Sequence, residues 1–209
     1  MVNRVRVKIC GIASLDEARC AIDLGADALG FNFWPKNPRF IAPERAAEII
    51  AALHPFTTSV GVFVDETLDR IKEIVSTAGI NAVQLHGDES PEFCRGLQGV
   101  KLIKALRVTG DFDAACAAKY PVNAILLDSS VRGMYGGTGE RFDWRIAVEA
   151  KRYAPIILAG GITIDNVKDA IAAVSPMAVD VCSGVEAEPG RKDLSMMKAF
   201  MAEVQGVHR

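Results

Sequence analysis

Val5-Arg6-Val7-Lys8-Ile9-Cys10-Gly11 decides how the rest of the chain is read. As a β-strand it turns Val5, Val7 and Ile9 to one face and Arg6, Lys8 and Cys10 to the other. The apolar face suits packing against helices. The polar face needs a different environment, and it ends in a thiol before a glycine turn. That combination predicts an enclosed sheet whose second side is a site.

Outward from this strand the same unit recurs. Ser14-Leu15-Asp16-Glu17 is a capping-box pattern, with Leu15, Ala18 and Ile22 at helical spacing and Gly25 to close the helix. Further strands are predicted over Ala28–Phe33, Ser59–Val64, Ala82–His86, Leu102–Leu106, Ala124–Asp128, Ile156–Ala159 and Val179–Cys182. Helices are predicted from Pro43 to about Leu53, over Leu68–Ala78 (stopped by Gly79), and briefly after Ser90-Pro91. Others are expected near Asp111–Lys119 and over Trp144–Tyr153, Ile164–Val174 and Asp193–Val204. Strict alternation of strand and helix means a parallel sheet covered by helices. Eight such units predict a closed (β/α)₈ barrel, one domain over residues 1–209. A doubly wound open sheet is the alternative, but no Gly-x-Gly-x-x-Gly follows the first strand and no P-loop sequence occurs.

Composition narrows the function classes. Of 209 residues, 50% are hydrophobic, enough for a substantial core. The formal charge of −2 is made of scattered charges, which predicts neither nucleic acid nor a membrane surface as partner. Five cysteines with no Cys-x-x-Cys argue against a disulfide framework or zinc cluster and for a reducing cytoplasm. No apolar run reaches membrane-spanning length.

In a closed barrel, alternation sends Gln84, His86, Asp128, Asp180 and Cys182 inward, with Asn32 and Asp65 near the ends of strands two and three. Buried charges need partners, and strands one and eight are neighbours, so Lys8 and Asp180 are expected to pair. Cys10 ends a strand beside that lysine, and a nearby cation favours the thiolate. The other four cysteines are expected as inert core. Asp128 follows four apolar residues, which suits a carboxyl that holds its proton and donates it. Gly160-Gly161 and Ser183-Gly184 follow strands seven and eight, where barrel enzymes often cradle phosphate. Glu186 and Glu188 nearby do nothing for an anion. Arg39, after Asn37-Pro38, offers a fork for a carboxylate. The glycine-rich loop Arg132–Arg141 suits a cover over the barrel mouth. His86 reads as a packed or hydrogen-bonded interior histidine rather than a metal ligand, and no metal site is predicted.

Together these segments resemble the phosphoribosylanthranilate isomerase family. The resemblance rests on Lys8-Ile9-Cys10-Gly11-Ile12, Asn37-Pro38-Arg39-Phe40, Val62-Phe63-Val64, Gln84-Leu85-His86-Gly87 and Leu127-Asp128. It continues through Gly136-Gly137-Thr138-Gly139, Phe142-Asp143-Trp144, Leu158-Ala159-Gly160-Gly161-Ile162 and Ser183-Gly184-Val185-Glu186, in family order over nearly the whole chain. It implies an Amadori rearrangement of N-(5-phosphoribosyl)anthranilate, with Cys10 as general base and Asp128 as general acid. Arg39 would hold the anthranilate carboxylate, and Gly160, Gly161, Ser183 and Gly184 the phosphate. No cofactor is implied, because the hydrogen moves within one substrate. Cys182 stands where the family often has serine, and Glu140 where a basic residue is common. The competing readings are the related histidine-pathway isomerase, which uses two aspartates, and a barrel that only binds a phosphosugar. Monomer and homodimer are both open.

Overall fold

The computed structural model describes residues 4–129 and 143–207. Parallel pairing closes the chain on itself. Strands β1 (Arg6–Cys10), β2 (Ala28–Asn32), β3 (Thr58–Phe63) and β4 (Ala82–Leu85) are followed by β5 (Lys101–Val108), β6 (Ala124–Ser129), β7 (Ile156–Leu158) and β8 (Ala178–Val181). They bond in sequence order, and β8 returns to β1 with Lys8 opposite Asp180. The expected (β/α)₈ barrel is the fold.

Around it stand α1 (Leu15–Asp23), α2 (Pro43–Ala51), α3 (Leu68–Ala78), α4 (Pro91–Arg95), α5 (Trp144–Ala150), α6 (Val167–Val174) and α7 (Leu194–Gln205). Local chemistry sets their ends. Ser14 Oγ accepts from Glu17 N, and the Glu17 carboxylate accepts from Ser14 N, so the capping box forms as written in the sequence. Pro43 opens α2, and Gly79, in the left-handed region, closes α3.

Three elements differ from expectation. The segment near Asp111–Lys119 is a six-residue 3₁₀ helix, Ala114–Lys119. Asp113 caps its start, and Pro121 disfavours helical backbone at Tyr120, leaving no room for a longer helix. Helix α6 begins at Val167 rather than Ile164. Asn166 holds the preceding turn, donating from Nδ2 to Gly161 O (2.7 Å) and accepting from Thr163 N (3.0 Å). Between β8 and α7 lies an unexpected hairpin of β9 (Glu186–Glu188) and β10 (Arg191–Lys192).

The core has two layers. Ile9, Leu29, Phe31, Phe63, Val83, Leu85, Ile125, Leu127, Leu158 and Val179 face the helices and are buried. Each such side chain stabilises the fold by about 1.5–3 kcal/mol. Inside the barrel a smaller apolar group, including Ala105, Ala124, Leu126, Ile157 and Ala178, fills one part of the interior. The remaining interior carries polar side chains, and these build the site.

Candidate active site

β1 ends where Gly11, at φ +80°, turns the chain. Lys8 Nζ donates to Asp180 Oδ1 at 2.9 Å, with both side chains buried, so the pair expected from the sequence is present. Two residues on, Cys10 opens into a cleft of about 670 Å³, mouth included, at the C-terminal ends of the strands. Gly30 on β2 makes this arrangement possible, since a Cβ there would lie 2.8 Å from Cys10 Sγ and 3.0 Å from Lys8 Nζ.

Cys182, expected on strand eight as inert core, falls just past that strand and lines the cleft. β8 stops at Val181, and Cys182 lies one residue beyond it, against Cys10. A hydrogen bond from Cys182 does most to hold the Cys10 thiol well below its ordinary range. Burial opposes this, and the charges of Lys8 and Lys192 reinforce it. The same hydrogen bond, together with burial, pushes the Cys182 thiol up. Burial works against the Lys8 ammonium, but Asp180 and Cys10 outweigh it and raise Lys8 above its usual value. Burial pushes Asp180 up to about 7, against the pull of Lys8.

Asp128 enters the same cleft from β6. His86 Nε2 lies 3.1 Å from Asp128 Oδ2, and His86 Nδ1 lies 2.9 Å from Gln84 Nε2. Of the two interior roles expected for it, packed or hydrogen-bonded, His86 takes the hydrogen-bonded one. The turn beyond it is pinned by a buried ion pair missed in the sequence. Lys104 Nζ donates to Glu89 Oε2 (2.8 Å) and Gly87 O (2.7 Å), while Glu89 accepts from the backbone of Gly87 and Asp65. Asp65, expected near the site, instead closes this turn by accepting from Asp88 N at 2.6 Å, and it is not among the residues lining the cleft.

Arg39 reaches the cleft from the loop after β2, positioned by Asn37 Oδ1, which accepts from Arg39 N at 2.9 Å. Its Nε and Nη2 donate to the two oxygens of Glu186, each at 2.8 Å. Lys192 Nζ donates to Glu186 Oε1 at 2.7 Å. Glu186, expected only as an unhelpful neighbour of an anion, therefore joins two cations. Burial pushes its carboxyl up, but the hydrogen bonds from Arg39 and Lys192 prevail and hold it below the ordinary value.

The two glycine loops meet. A Cβ on Gly160 (φ +72°) would lie 2.1 Å from Ser129 N and 2.7 Å from Asp128 Oδ1, so this loop is seated directly on the end of β6. A Cβ on Gly184 would lie 2.2 Å from Ile162 O, which brings the loop after β8 against the loop after β7. Gly160, Gly161 and Ser183 line the cleft with Cys10, Asp128 and Arg39. Loop Arg132–Arg141, with Glu140, lies outside the described residues.

The matched family model spans residues 7–203 and describes N-(5′-phosphoribosyl)anthranilate (PRA) isomerase. The N-(5′-phosphoribosyl)anthranilate isomerase of Geobacter sp. (strain M21) is 52% identical over 200 residues, covering 96% of this chain and 98% of that protein. A crystal structure of monomers of the dimeric enzyme from Thermotoga maritima is similar, with TM-score 0.87 and 41% identity over 97% of this chain and all of that one. So is a phosphoribosyl anthranilate isomerase in complex with reduced 1-(o-carboxyphenylamino)-1-deoxyribulose 5-phosphate, with TM-score 0.86, 41% identity and the same coverage. Family model, close relatives and barrel geometry agree: the chain belongs to the N-(5′-phosphoribosyl)anthranilate isomerase family.

Proposed function

We propose that the chain carries out its family's reaction with Cys10 as general base and Asp128 as general acid. N-(5-phosphoribosyl)anthranilate becomes 1-(2-carboxyphenylamino)-1-deoxyribulose 5-phosphate. One observation carries the assignment. A thiol among cations and a carboxyl beside His86 open into one cleft from β1 and β6.

Asp128 protonates the furanose ring oxygen, the C1′–O bond breaks, and the nitrogen lone pair forms a protonated Schiff base. That iminium acidifies the C2′ proton. The Cys10 thiolate removes it, and the electron pair forms the C1′–C2′ double bond of an enolamine. Transfer of the enol proton to C1′ completes the ketone. The steps require a base ionised at neutral pH and an acid that still holds its proton, hence two different environments within one cleft.

Arg39 holds the anthranilate carboxylate, using donors other than the two engaged by Glu186. The phosphate lies where Gly160-Gly161 and Ser183-Gly184 meet, with backbone N–H groups as its ligands. The proposed setting is the cytoplasm, as monomer or homodimer. Among the described residues no helix is long and apolar enough to cross a membrane.

The test is turnover of N-(5-phosphoribosyl)anthranilate by wild type, Cys10→Ala and Asp128→Asn. Each substitution is expected to lower kcat by about 10²–10⁴-fold. Folded wild type that leaves the substrate unchanged would overturn the function, and variants within tenfold of wild type would overturn the roles.

A further inference from the structure

We infer that Cys182 is a positioning residue for Cys10, donating its S–H to the Cys10 sulfur with Lys192 fixing the direction of that donor. The inference rests on Cys10 being the base.

Strand register supplies the first argument. Lys8 pairs with Asp180 and Ile9 with Val181 along β1 and β8. The pairing ends there, and Cys182 follows Val181 just as Cys10 follows Ile9, so the two thiols lie one residue past the last pair. Both residues line the cleft, together with Asp180. Cys182 Sγ also sits over the residue following Cys10, since a Cβ on Gly11 would approach it to 3.3 Å.

Donor and acceptor bookkeeping supplies the second. Lys192 Nζ, fully buried, lies 3.7 Å from Cys182 Sγ and 3.1 Å from Cys182 O. An ammonium only donates, so Lys192 occupies a lone-pair side of the Cys182 sulfur. The Cys182 proton must therefore point elsewhere. Two acceptors are in reach, Cys10 Sγ and Glu186 Oε1, the latter at 3.8 Å. Glu186 Oε1 already accepts from Arg39 Nε and Lys192 Nζ at 2.8 and 2.7 Å, so it gains little from a distant thiol. A Cys10 thiolate gains more, because a buried anion without a donor is costly.

The hairpin holds this arrangement in place. Lys192 N donates to Glu17 Oε1 at 2.9 Å, tying β10 to the capping box at the start of α1. The result is a chain of contacts from the buried Lys192 through the half-buried Cys182 to Cys10. The other charges around Cys10 are Lys8 on its own strand, Arg39 from the loop after β2, and Asp180 on β8. Lys8 and Arg39 favour the thiolate, and Asp180 opposes it.

A serine hydroxyl can donate as the thiol does, whereas alanine cannot. The experiment compares wild type, Cys182→Ser and Cys182→Ala, with thermal unfolding as the check on folding. One readout is the pH dependence of Cys10 alkylation by iodoacetamide, followed on the Cys10 peptide by mass spectrometry. The other is the acid limb of kcat/KM. Wild type and Cys182→Ser are expected to titrate together. In Cys182→Ala both midpoints should rise by about one pH unit, a tenfold loss on the acid limb that is recovered at alkaline pH. Equal midpoints in wild type and Cys182→Ala, or a Cys182→Ser shift as large as that of Cys182→Ala, would overturn the inference. Alkylation reads the thiol without turnover. A shift there with no matching change in kcat/KM would leave the thiol contact standing and reject Cys10 as the base.

Discussion

The two sides of the cleft solve opposite problems. On the β1–β8 side, Cys10 sits among Lys8, Lys192 and a hydrogen-bonding thiol, an environment that favours losing a proton. On the β4–β6 side, Asp128 meets the imidazole of His86, itself backed by the Gln84 amide. Cations stabilise a thiolate outright. Imidazole and amide can each accept or donate, which suits the proton exchange proposed for Asp128. The barrel separates the two environments by strand position and still directs both groups into one space.

The largest break of that contrast is Lys8→Met. It leaves Asp180 buried without its ion-pair partner and strips a cation from Cys10. Urea denaturation is expected to show a loss of about 3–5 kcal/mol. The Cys10 thiol should also become less reactive toward iodoacetamide at neutral pH. Unchanged stability would mean that the pair does not anchor β1 to β8.

On the other side, His86→Ala removes the partner of Asp128 without touching the ion pairs. Its expected effect is a drop in kcat of about tenfold with little change in KM, measured by steady-state kinetics. A rise in KM alone would place His86 in substrate binding instead.

The smallest effect probes the support behind Arg39. Glu186 has a folded pKa below its unfolded value of about 4.3. It therefore contributes stability that is present above that pH and lost as pH falls through the lowered folded value. The melting temperature should fall on acidification below about pH 4, and Glu186→Gln should show a shallower acid decline than wild type. Identical slopes would show that the Arg39–Glu186–Lys192 group adds nothing to the fold.

How far the sequence could be read follows from the range of the interactions involved. Strand and helix alternation is local, so the barrel and the inward set of Lys8, Gln84, Asp128 and Asp180 were legible from period-2 patterns. Barrel closure then made β1 and β8 neighbours, which is why the Lys8–Asp180 pair was legible across so much sequence. Cys10 and Asp128 stood out as reactive types at strand ends. Glu186 was illegible in its role, because its partners Arg39 and Lys192 come together only through the hairpin and the loop after β2. Cys182 was legible as an inward residue after Asp180, but its contact with Lys192 was not, because that depends on the hairpin. The start of α6 depended on Asn166 bonding back to Gly161, a tertiary contact that helix propensity does not contain. The pinning of the His86 turn by Lys104 and Glu89 likewise joins separate strand–loop units.

The central claim is that Cys10 serves as the base and Asp128 as the acid within one cleft. It is tested most directly by the pH profile of kcat/KM for wild type on N-(5-phosphoribosyl)anthranilate. The account predicts a bell whose acid limb lies well below the ordinary thiol value of about 8.5 and coincides with the midpoint of Cys10 alkylation. A rate still climbing through that value, as an ordinary thiol ionises, would contradict it.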